Sequence, residues 1–395
     1  MSSLSNKFVV ATPFRTVLDS HARVLAANEM LRLCCLGTRR GIEGVPPSKT
    51  RLNPLIGLAA YAATHVMNPF VAESFRFGLN PFFDRWVRTF LRPGDHILSS
   101  FGYANRSFEW VRRHGGKTFL DGGNSHPEQF WEIVSEEHKL WKCPVPAAPR
   151  HWIDRSIRML PYVDFVLAPS TYVRRSFLTR GFTQDQILDL PYPVNLNDFF
   201  PVSTPRPNNR PLTLVNTGSL SLRKGLPYLL EAFRIVRKVV PNARLLLSDS
   251  VMDSAKPVLE TNSDIPIEWT PVLPHTQLGD HLRSADIFVM LSLEEGMVRT
   301  GLEAMACGLP VVVTPHTGIN DYVQPGINGE VVPIRDPVAA ADAILRLWEN
   351  IQKTESTATP MKNLLSPMKV LNVGPERFAE TFLAHLKKLS ESGQI

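Results

Sequence analysis

The chain has 395 residues, more than a single compact core normally holds, so its length favours two domains or more. Its 44% hydrophobic and 20% charged residues are typical of a folded globular protein and exclude a disordered chain. The formal net charge is +6; residues 1–200 carry 24 Lys and Arg against 17 Asp and Glu, and the remainder carries 19 against 20. The basic first half indicates an acidic partner, such as an anionic membrane surface or a lipid diphosphate, or else solvated arginines. Because no basic run is interleaved with aromatic residues, nucleic acid is not the expected partner.

The four cysteines show neither a Cys-x-x-Cys pair nor zinc-ligand spacing, and Cys34, Cys35 and Cys307 lie in apolar stretches. Buried free thiols in a reducing compartment are therefore expected. The first residues lack the charged-then-apolar plan of a secretory signal. The longest apolar helix candidate, residues 55–67, is too short to span a bilayer. These features predict a cytoplasmic protein, either soluble or peripheral on the membrane.

The first half of the chain begins with a strand at residues 7–14, a helix at 20–30 and a second strand at 31–37. Strand, helix and strand in this order predict a parallel sheet with a right-handed crossover. Residues 54–91 are predicted to be helical and are rich in aromatic side chains. Most of these are expected in the core, and the rest form a candidate membrane-docking surface with nearby arginines. Those arginines are Arg76, Arg85, Arg88 and Arg92.

A strand at residues 95–102, a helix at 103–114 and a strand at 117–126 that ends in a glycine-rich turn come next. His126 closes this turn and has two interpretations. It is either a loop histidine that helps to start the following helix, or a ligand-facing group at the carboxyl end of a sheet strand, where doubly wound folds bind ligands.

A strand at residues 164–170, a helix at 171–180 and an apolar strand at 187–194 complete this half, and the Pro- and Asn-rich stretch that follows is typical of a linker. We therefore predict a first domain at 1–195, a linker at 196–211, a second domain at 212–373 and a terminal segment at 374–395.

The second half repeats the alternation of strands and helices. Strands are predicted at 212–219, 243–250, 265–272, 285–291, 310–318 and 329–333, and helices at 226–240, 276–284, 337–349 and 376–389. Residues 352–373 are predicted to be a loose insertion.

The most informative stretch is EGMVRTGLEAMACG, residues 295–308, which directly follows a predicted buried strand. It places Glu295 and Glu303 eight residues apart at a strand-to-helix junction, with the helix predicted over 297–307. A helix start exposes unpaired N–H groups and the positive end of the helix dipole, which attract phosphate. The alternative is that Glu295 is a solvated first-turn acid and Glu303 an ordinary surface residue.

This stretch resembles the E-x7-E signature of the retaining glycosyltransferases of family 4, in which EGFG-x4-EAMACG-x-PVV recurs. Met297 and Val298 stand here in place of the usual Phe and Gly. The resemblance covers mainly residues 160–350. It implies an α/β GT-B fold, in which two doubly wound Rossmann-like domains face each other across a cleft. It also implies that the first domain binds the acceptor and that the last helix packs back on it.

A second element, GSLSLRKGLPYLLEAF at residues 218–233, places Arg223 and Lys224 beside a predicted helix start. Arg223 has forked donors and Lys224 is a point charge, so the pair is suited to clamp a diphosphate, although a solvated Arg–Lys pair is the alternative. Family members often read GRL-x3-KG, and Ser219 occupies the position of the first arginine. Either Arg223 supplies that charge, or phosphate binding is weaker than usual.

The resemblance also implies roles for individual residues. Arg223 and Lys224 would neutralise the departing diphosphate, Glu303 would hydrogen-bond the ribose hydroxyls, and His126 would lie against the donor sugar. Glu295, with the backbone N–H groups of residues 296–298, would hold the sugar hydroxyls and steady the developing positive charge. The expected donor-binding residues are Gly218, Ser219, Val272, Gly296, Met297, Val298, Arg299, Thr300 and Glu303. Arg299 is either a phosphate contact or a surface residue.

The family retains the anomeric configuration, and the usual retaining plan needs two carboxyl groups roughly 5 Å apart. Glu295 and Glu303 are not expected to be that close, which favours displacement on the same face, with the leaving phosphate taking the acceptor's proton. No Asp-x-Asp motif occurs, and the two cations can neutralise the diphosphate. We therefore expect neither a metal nor another cofactor.

The sequence thus predicts a retaining glycosyltransferase that moves a sugar from a nucleotide-sugar donor to a glycan or lipid-linked acceptor. A non-catalytic nucleotide-sugar-binding relative is the alternative that Ser219, Met297 and Val298 suggest. A nucleotide-sugar epimerase or a glycogen-type phosphorylase is disfavoured because the Arg-Lys-Gly loop and the E-x7-E stretch occur together.

Overall fold

The first domain is built on a seven-stranded parallel sheet. The computed structural model describes residues 4, 6–66, 75–145, 147–201, 210–355 and 373–395. The strand order in this sheet is β3-β2-β1-β4-β5-β6-β7. The strands are β1 (Phe8–Thr12), β2 (Leu31–Leu36), β3 (Thr50–Leu52), β4 (His96–Ser100), β5 (Thr118–Asp121), β6 (Phe165–Ala168) and β7 (Ile187–Asp189).

The second domain is built on a six-stranded parallel sheet with the order β10-β9-β8-β11-β12-β13. The strands are β8 (Thr213–Asn216), β9 (Arg244–Ser248), β10 (Glu268–Thr270), β11 (Ile287–Met290), β12 (Val311–Val313) and β13 (Gly329–Val331). Central strands such as β8, β11 and β12 are buried along their whole length. This is why they appear in the sequence as continuous apolar runs rather than as alternating patterns.

Helices lie between successive strands in both domains, as parallel pairing requires. In the first domain they are α1 (Leu18–Ala27), α2 (Pro54–Val66), α3 (Asn80–Arg88), α4 (Asn105–Arg113), α5 (Pro127–Leu140), α6 (Ala147–Met159) and α7 (Thr171–Leu178). In the second half of the chain they are α8 (Leu226–Val239), α9 (Lys256–Thr261), α10 (His275–Ser284), α11 (Arg299–Ala306), α12 (Pro337–Glu355) and α13 (Pro375–Glu391).

The strand order reverses direction at the first strand of each sheet. β1 pairs with β2 on one side and with β4 on the other, and β8 likewise lies between β9 and β11. Ligands bind outside the carboxyl ends of the strands at such switch points. The topology therefore directs attention to the loops that follow β1 and β4 in the first domain and β8 and β11 in the second.

The last helix, α13, packs on the first domain rather than on the second. Phe378, Phe382, Leu386 and Leu389 on α13 are buried in the same hydrophobic cluster as Phe8 of β1. Because this cluster joins the two ends of the chain, the first domain is completed by residues that follow the second.

Three predicted boundaries are wrong. The helix predicted over 297–307 is α11, which begins only at Arg299, because the Val298 N–H donates to the carbonyl of Thr317 (2.9 Å). Residues 352–355, predicted to be loose, are the last turn of α12, and Ile351 just before them is buried in the core of the second domain. The predicted helical segment 54–91 ends too late, because α3 stops at Arg88; its residues 67–74 lie outside the described ones, as do residues 356–372.

The aromatic side chains that precede β4 divide between core and surface. Phe83 is fully buried, and Trp86 packs against it from a partly buried position. Phe75 and Phe82 are exposed, as are Leu55, Leu58 and Tyr61 on α2. On α3 the expectation that most of the aromatics are core holds for Phe83 and in part for Trp86, but not for Phe82, and α2 has an apolar exposed side.

Candidate active site

The Arg-Lys-Gly loop reaches the loop after β11 because Gly225 permits close packing there. Gly225 has a φ of 72°, and a Cβ at this position would lie 1.9 Å from the carbonyl oxygen of Leu291. No other residue fits without moving one loop. The carbonyl of Arg223 accepts a hydrogen bond from the Leu293 N–H (2.9 Å), so the backbone holds the two loops in register.

Glu295 forms ion pairs with both predicted cations. Arg223 Nη1 lies 2.8 Å from Glu295 Oε1, and Lys224 Nζ forms an ion pair with the same oxygen. Burial acts to raise the pKa of Glu295, but the Arg223 and Lys224 charges outweigh it and hold the pKa below its usual value. The interpretation of Glu295 as a solvated first-turn acid is therefore wrong, because this side chain is only 11% exposed and ionised between two cations.

Glu294 also belongs to this cluster, although it was not predicted from the sequence. Its Oε2 lies 3.2 Å from Arg223 Nη1, and its Oε1 accepts hydrogen bonds from the Ser125 N–H and Oγ–H, both at 2.9 Å. The side chain has no exposed surface, and burial raises its pKa although Arg223 opposes the shift. The one available signal was a second glutamate beside Glu295.

Ser125 belongs to the loop after β5, so this contact joins the first domain to the second. Gly296 and Gly123 meet at the same place: a Cβ on Gly296 would lie 2.1 Å from the Gly123 carbonyl oxygen. Ser170, after β6, donates to the Gly296 carbonyl (2.7 Å). The carboxyl-end loops of the two sheets are therefore in direct contact around Glu294 and Gly296.

Other contacts extend this interface. Tyr172 on α7 stacks on His316, with ring centroids 4.6 Å apart. Glu137 on α5 is fully buried and accepts hydrogen bonds from the Tyr228 hydroxyl (2.7 Å) and from Arg335 Nε (2.8 Å). A buried carboxylate such as Glu137 is stable only with its partners in place. These partners belong to the second domain, so the burial of Glu137 requires the two domains to be in contact.

His126 lies at the edge of the same interface and acts as a helix cap. Its imidazole Nδ1 accepts a hydrogen bond from the backbone N–H of Glu128 (3.3 Å) at the start of α5. The backbone N–H of His126 donates to Ser176 Oγ (2.9 Å). Burial and then the Arg180 charge lower the pKa of the imidazole to about 4. His126 is therefore neutral at pH 7, and its geometry agrees with the interpretation as a helix-starting residue.

Asp121 and Tyr192 form a second buried polar pair beside the cleft, and neither was predicted. The Tyr192 hydroxyl donates to Asp121 Oδ1 (3.1 Å), which joins the end of β5 to the segment that leads into the second domain. Burial raises the pKa of Asp121 to about 7 despite the hydrogen bond from Tyr192. A carboxyl group at the end of a sheet strand was the available signal.

Glu303, also in the second domain, shares no described hydrogen bond or ion pair with this cluster. It lies on α11, is 4% exposed, and its Oε2 has no hydrogen-bond partner among the described residues. Burial raises its pKa, while Arg299 and His275 act in the opposite direction; His275 Nδ1 is 3.9 Å from Oε1. The alternative of a surface helix residue is therefore wrong, and a buried acceptor oxygen is left without a donor.

A cavity of about 60 Å³ lies between the end of β8 and the segment after β10. Thr217, Val272 and Leu278 line it together with His281, whose pKa is lowered by burial. The Thr217 hydroxyl is buried and has no hydrogen-bond partner among the described residues. Val272, predicted to be a donor-binding residue, thus lies at a concave site with an unsatisfied polar atom.

The remaining predicted donor-binding residues are not equivalent. Met297 and Val298 are buried in the hydrophobic core of the second domain, and the Val298 N–H is bonded to Thr317. The expectation that the N–H groups of 296–298 all face the sugar is therefore wrong for Val298. Gly218 packs against Met290, Ser219 and Thr300 are half-buried, and Arg299 is exposed.

Within the described ranges, no group of three or more His, Cys, Asp or Glu residues is arranged to hold a metal ion. In the same ranges, no helix has both the length and the apolar character needed to cross a membrane.

Part of the second domain is similar to a known family. Residues 211–350 match the family described as glycosyl transferases group 1. The amylovoran biosynthesis glycosyltransferase AmsK of Erwinia amylovora is 28% identical over 148 residues, which is 35% of this chain and 36% of AmsK. The alpha-monoglucosyldiacylglycerol synthase of Acholeplasma laidlawii is 25% identical over 194 residues, which is 47% of this chain and 45% of that enzyme. The matches thus span between a third and a half of these relatives.

Solved structures match nearly the whole chain and establish its fold. Sucrose-phosphate synthase from Thermosynechococcus elongatus superposes with a TM-score of 0.68 at 18% identity, covering 98% of this chain and 99% of that one. HepE from Anabaena, solved with UDP and glucose, superposes with a TM-score of 0.61 at 13% identity, covering 97% and 99%. The predicted GT-B architecture of two doubly wound domains is confirmed.

Proposed function

We propose that this chain, which carries a glycosyl transferases group 1 domain on a GT-B fold, is a retaining glycosyltransferase that uses a nucleotide-sugar donor. The observation that carries the proposal is the position of Glu295 between Arg223 and Lys224 where the two domains meet. Such a cluster supplies fixed positive charge for a departing diphosphate and a carboxylate for the sugar in one desolvated place.

Arg223 can serve phosphate without giving up its glutamate partners. All of its hydrogen bonds to described residues use Nη1, which contacts the Glu294 carbonyl and both glutamate side chains. Its Nε and Nη2 atoms are left to face a ligand. The guanidinium plane also lies over the Phe130 ring, 5.7 Å from the ring centroid, which fixes its direction.

Glu295 is not the nucleophile in this proposal. A carboxylate whose oxygen is held by two cations is a poor attacking group, and Glu303 lies on a different element with different neighbours. The acceptor oxygen therefore forms its bond to the anomeric carbon on the face from which the diphosphate leaves. The bond between that carbon and the phosphate oxygen breaks, and the acceptor's proton passes to the departing oxygen.

We assign the nucleotide to the part of the second domain that contains Glu303 and the cavity beside Val272. The unsatisfied Glu303 Oε2 is an acceptor for a ribose hydroxyl, and the cavity beside Val272 is the place for the base. HepE was solved with UDP, which favours a UDP-sugar donor. We propose that no metal takes part, because Arg223 and Lys224 already provide the charge that a divalent ion would supply.

The acceptor is proposed to be a glycan or a lipid-linked saccharide on the cytoplasmic membrane face. AmsK is named for amylovoran biosynthesis and the Acholeplasma enzyme for a glycosyldiacylglycerol. The exposed apolar side of α2, with Leu55, Leu58 and Tyr61, supports peripheral attachment.

The proposal is tested by incubating the protein with a panel of UDP-, GDP- and ADP-sugars and following nucleotide release and product anomer by NMR. We expect turnover of one donor with retention, and a loss of about 100-fold or more in Glu295→Ala. Activity that Glu295→Ala leaves unchanged contradicts the site, and an inverted product contradicts the mechanism. Loss of activity in EDTA contradicts metal independence.

The same panel separates the competing functions. An epimerase returns the donor with its nucleotide still attached, whereas a non-catalytic relative binds the donor and releases nothing. Calorimetric binding in the absence of turnover would support the latter, which Ser219 in place of the family's arginine still suggests.

A further inference from the structure

A second basic site lies in the first domain, away from Glu295. A cavity of about 640 Å³ opens between α3, α4 and α6, and four arginines line it: Arg85, Arg106, Arg155 and Arg158. They come from three helices that are far apart in the sequence, so the cluster is produced by the fold rather than by a basic run. None of these residues contacts the Arg223–Glu295 cluster through any described hydrogen bond or ion pair.

The acidic side chains in this cavity are already engaged elsewhere. Asp84 is fully buried, pairs with Arg155 (3.0 Å) and accepts hydrogen bonds from the Arg106 and Ser107 N–H groups at the start of α4. Glu109 pairs with Arg113 (2.7 Å). Asp84 is thus a built-in helix cap, and neither carboxylate neutralises the other arginines.

Three guanidinium groups are left without a carboxylate. Arg85, Arg106 and Arg158 make no side-chain hydrogen bond or ion pair with any described residue. Burial lowers the pKa of Arg155, and the like charges of Arg158 and Arg106 lower it further, although Asp84 opposes both. The cluster is therefore mutually repulsive, and an anion in the cavity would relieve the repulsion.

We propose that this cavity is a binding site for a phosphate ester, held by the guanidinium groups of Arg85, Arg106 and Arg158. Forked guanidinium donors match phosphate oxygens, and three of them suit a group with two negative charges. Tyr162 adds a hydroxyl to the lining, and Phe82, 69% exposed, provides an apolar rim. The phosphate can belong to a lipid or to a soluble ester. The site does not depend on the proposed transferase activity.

The test titrates inorganic pyrophosphate into the full chain by calorimetry. Because Arg223 and Lys224 offer a second anion site, the titration uses a chain with both Arg223→Gln and Lys224→Gln as the background. We expect this background to bind pyrophosphate and the added pair Arg106→Gln and Arg158→Gln to weaken binding about tenfold or more. The matched control is Arg346→Gln, an exposed arginine lining a cavity of the second domain, which should change nothing.

A second arm identifies the source of the phosphate. Vesicles of phosphatidylcholine with one third phosphatidylglycerol retain the wild-type chain if the phosphate belongs to a lipid, and the double variant is released. Pyrophosphate binding without vesicle retention assigns a soluble ester. Binding and retention that are both insensitive to the double substitution overturn the proposal. If the double variant unfolds at a lower temperature than wild type, Arg85→Gln replaces it. Arg85 is exposed, and its substitution should also weaken pyrophosphate binding.

Discussion

Glu294 and Ser125 lie 169 residues apart in the chain and are joined across the two domains by two hydrogen bonds of 2.9 Å each. The other carboxylate oxygen of Glu294 lies 3.2 Å from Arg223 Nη1. One buried side chain therefore connects the first domain to the guanidinium that we assign to the diphosphate. Glu294 thus links Arg223 to the first domain, while the Glu294 carbonyl and Glu295 hold Arg223 within the second domain.

Replacing Glu294 by Gln should lower kcat more than it raises the donor KM. Glutamine can still accept the hydrogen bonds from Ser125, but it carries no charge, so the Arg223 guanidinium loses one ion-pair partner. Hydrogen bonds to charged groups contribute roughly 1.5–3 kcal/mol, so we expect kcat to fall about 10- to 100-fold with KM changed less than about threefold. Steady-state kinetics check this split.

Ser125→Ala should show the same pattern in milder form, because the Ser125 N–H remains as a donor to Glu294. Glu349→Gln, which removes an exposed carboxylate on α12, is the control. A rise in KM with kcat unchanged would mean that Glu294 only supports binding.

Lys224→Met should reduce kcat about 10²- to 10³-fold while the nucleotide alone still binds within about tenfold of wild type. The charge on Lys224 is needed mainly when negative charge grows on the departing diphosphate, so the larger loss is expected in the transition state. Single-turnover rates and nucleotide calorimetry measure the two effects. Lys256→Met, an exposed lysine paired with Asp253, should be silent. Equal losses in both measurements would assign Lys224 to ground-state binding.

Gly296→Ala should keep the two domains apart. The added Cβ would approach the Gly123 carbonyl to 2.1 Å, a backbone contact that no side-chain rotation relieves. We expect activity to fall below about 1% and small-angle scattering to show a larger radius of gyration. Gly78→Ala, where no atom lies within 4 Å of the added Cβ, is the control. A compact, active Gly296→Ala protein would show that this contact is dispensable.

Asp121→Asn should make the protein less sensitive to pH. Burial raises the pKa of Asp121 from its model-peptide value of 3.8 to about 7 in the folded chain. The folded state therefore binds more protons than the unfolded state between these values, and stability falls as the pH rises from about 4 to 7.

Asparagine carries no charge and can still accept a hydrogen bond from the Tyr192 hydroxyl. The free energy of unfolding of the variant should therefore rise relative to that of wild type as the pH increases over this range. A gain of up to about 4 kcal/mol is expected at pH 8, with little difference at pH 4. Thermal melting of both proteins from pH 4 to 8 measures it. A constant difference across this range would mean that Asp121 stays ionised in the folded state.

The amino-acid sequence is enough to predict the alternation of strands and helices, the position of most of them and the residues at the strand ends. Continuous apolar runs such as those of β11 and β12 and the amphipathic pattern of α8 are local signals, because burial on a sheet or a helix face repeats along the chain. Arg223, Lys224 and Glu295 are instead identified by their place beside predicted helix starts and by the resemblance of their two stretches to a family pattern.

Which of these groups are in contact and which are buried in the core follows from the packing of the folded chain. The pairing of Glu294 with Ser125, the contact of Gly296 with Gly123 and the raised pKa of Asp121 depend on how one domain closes on the other. The start of α11 at Arg299 depends on a hydrogen bond from Val298 to a neighbouring loop. The arginine cavity likewise needs three helices from distant parts of the chain. Such contacts leave no periodic signal, because they are set by the packing of whole elements rather than by local propensity.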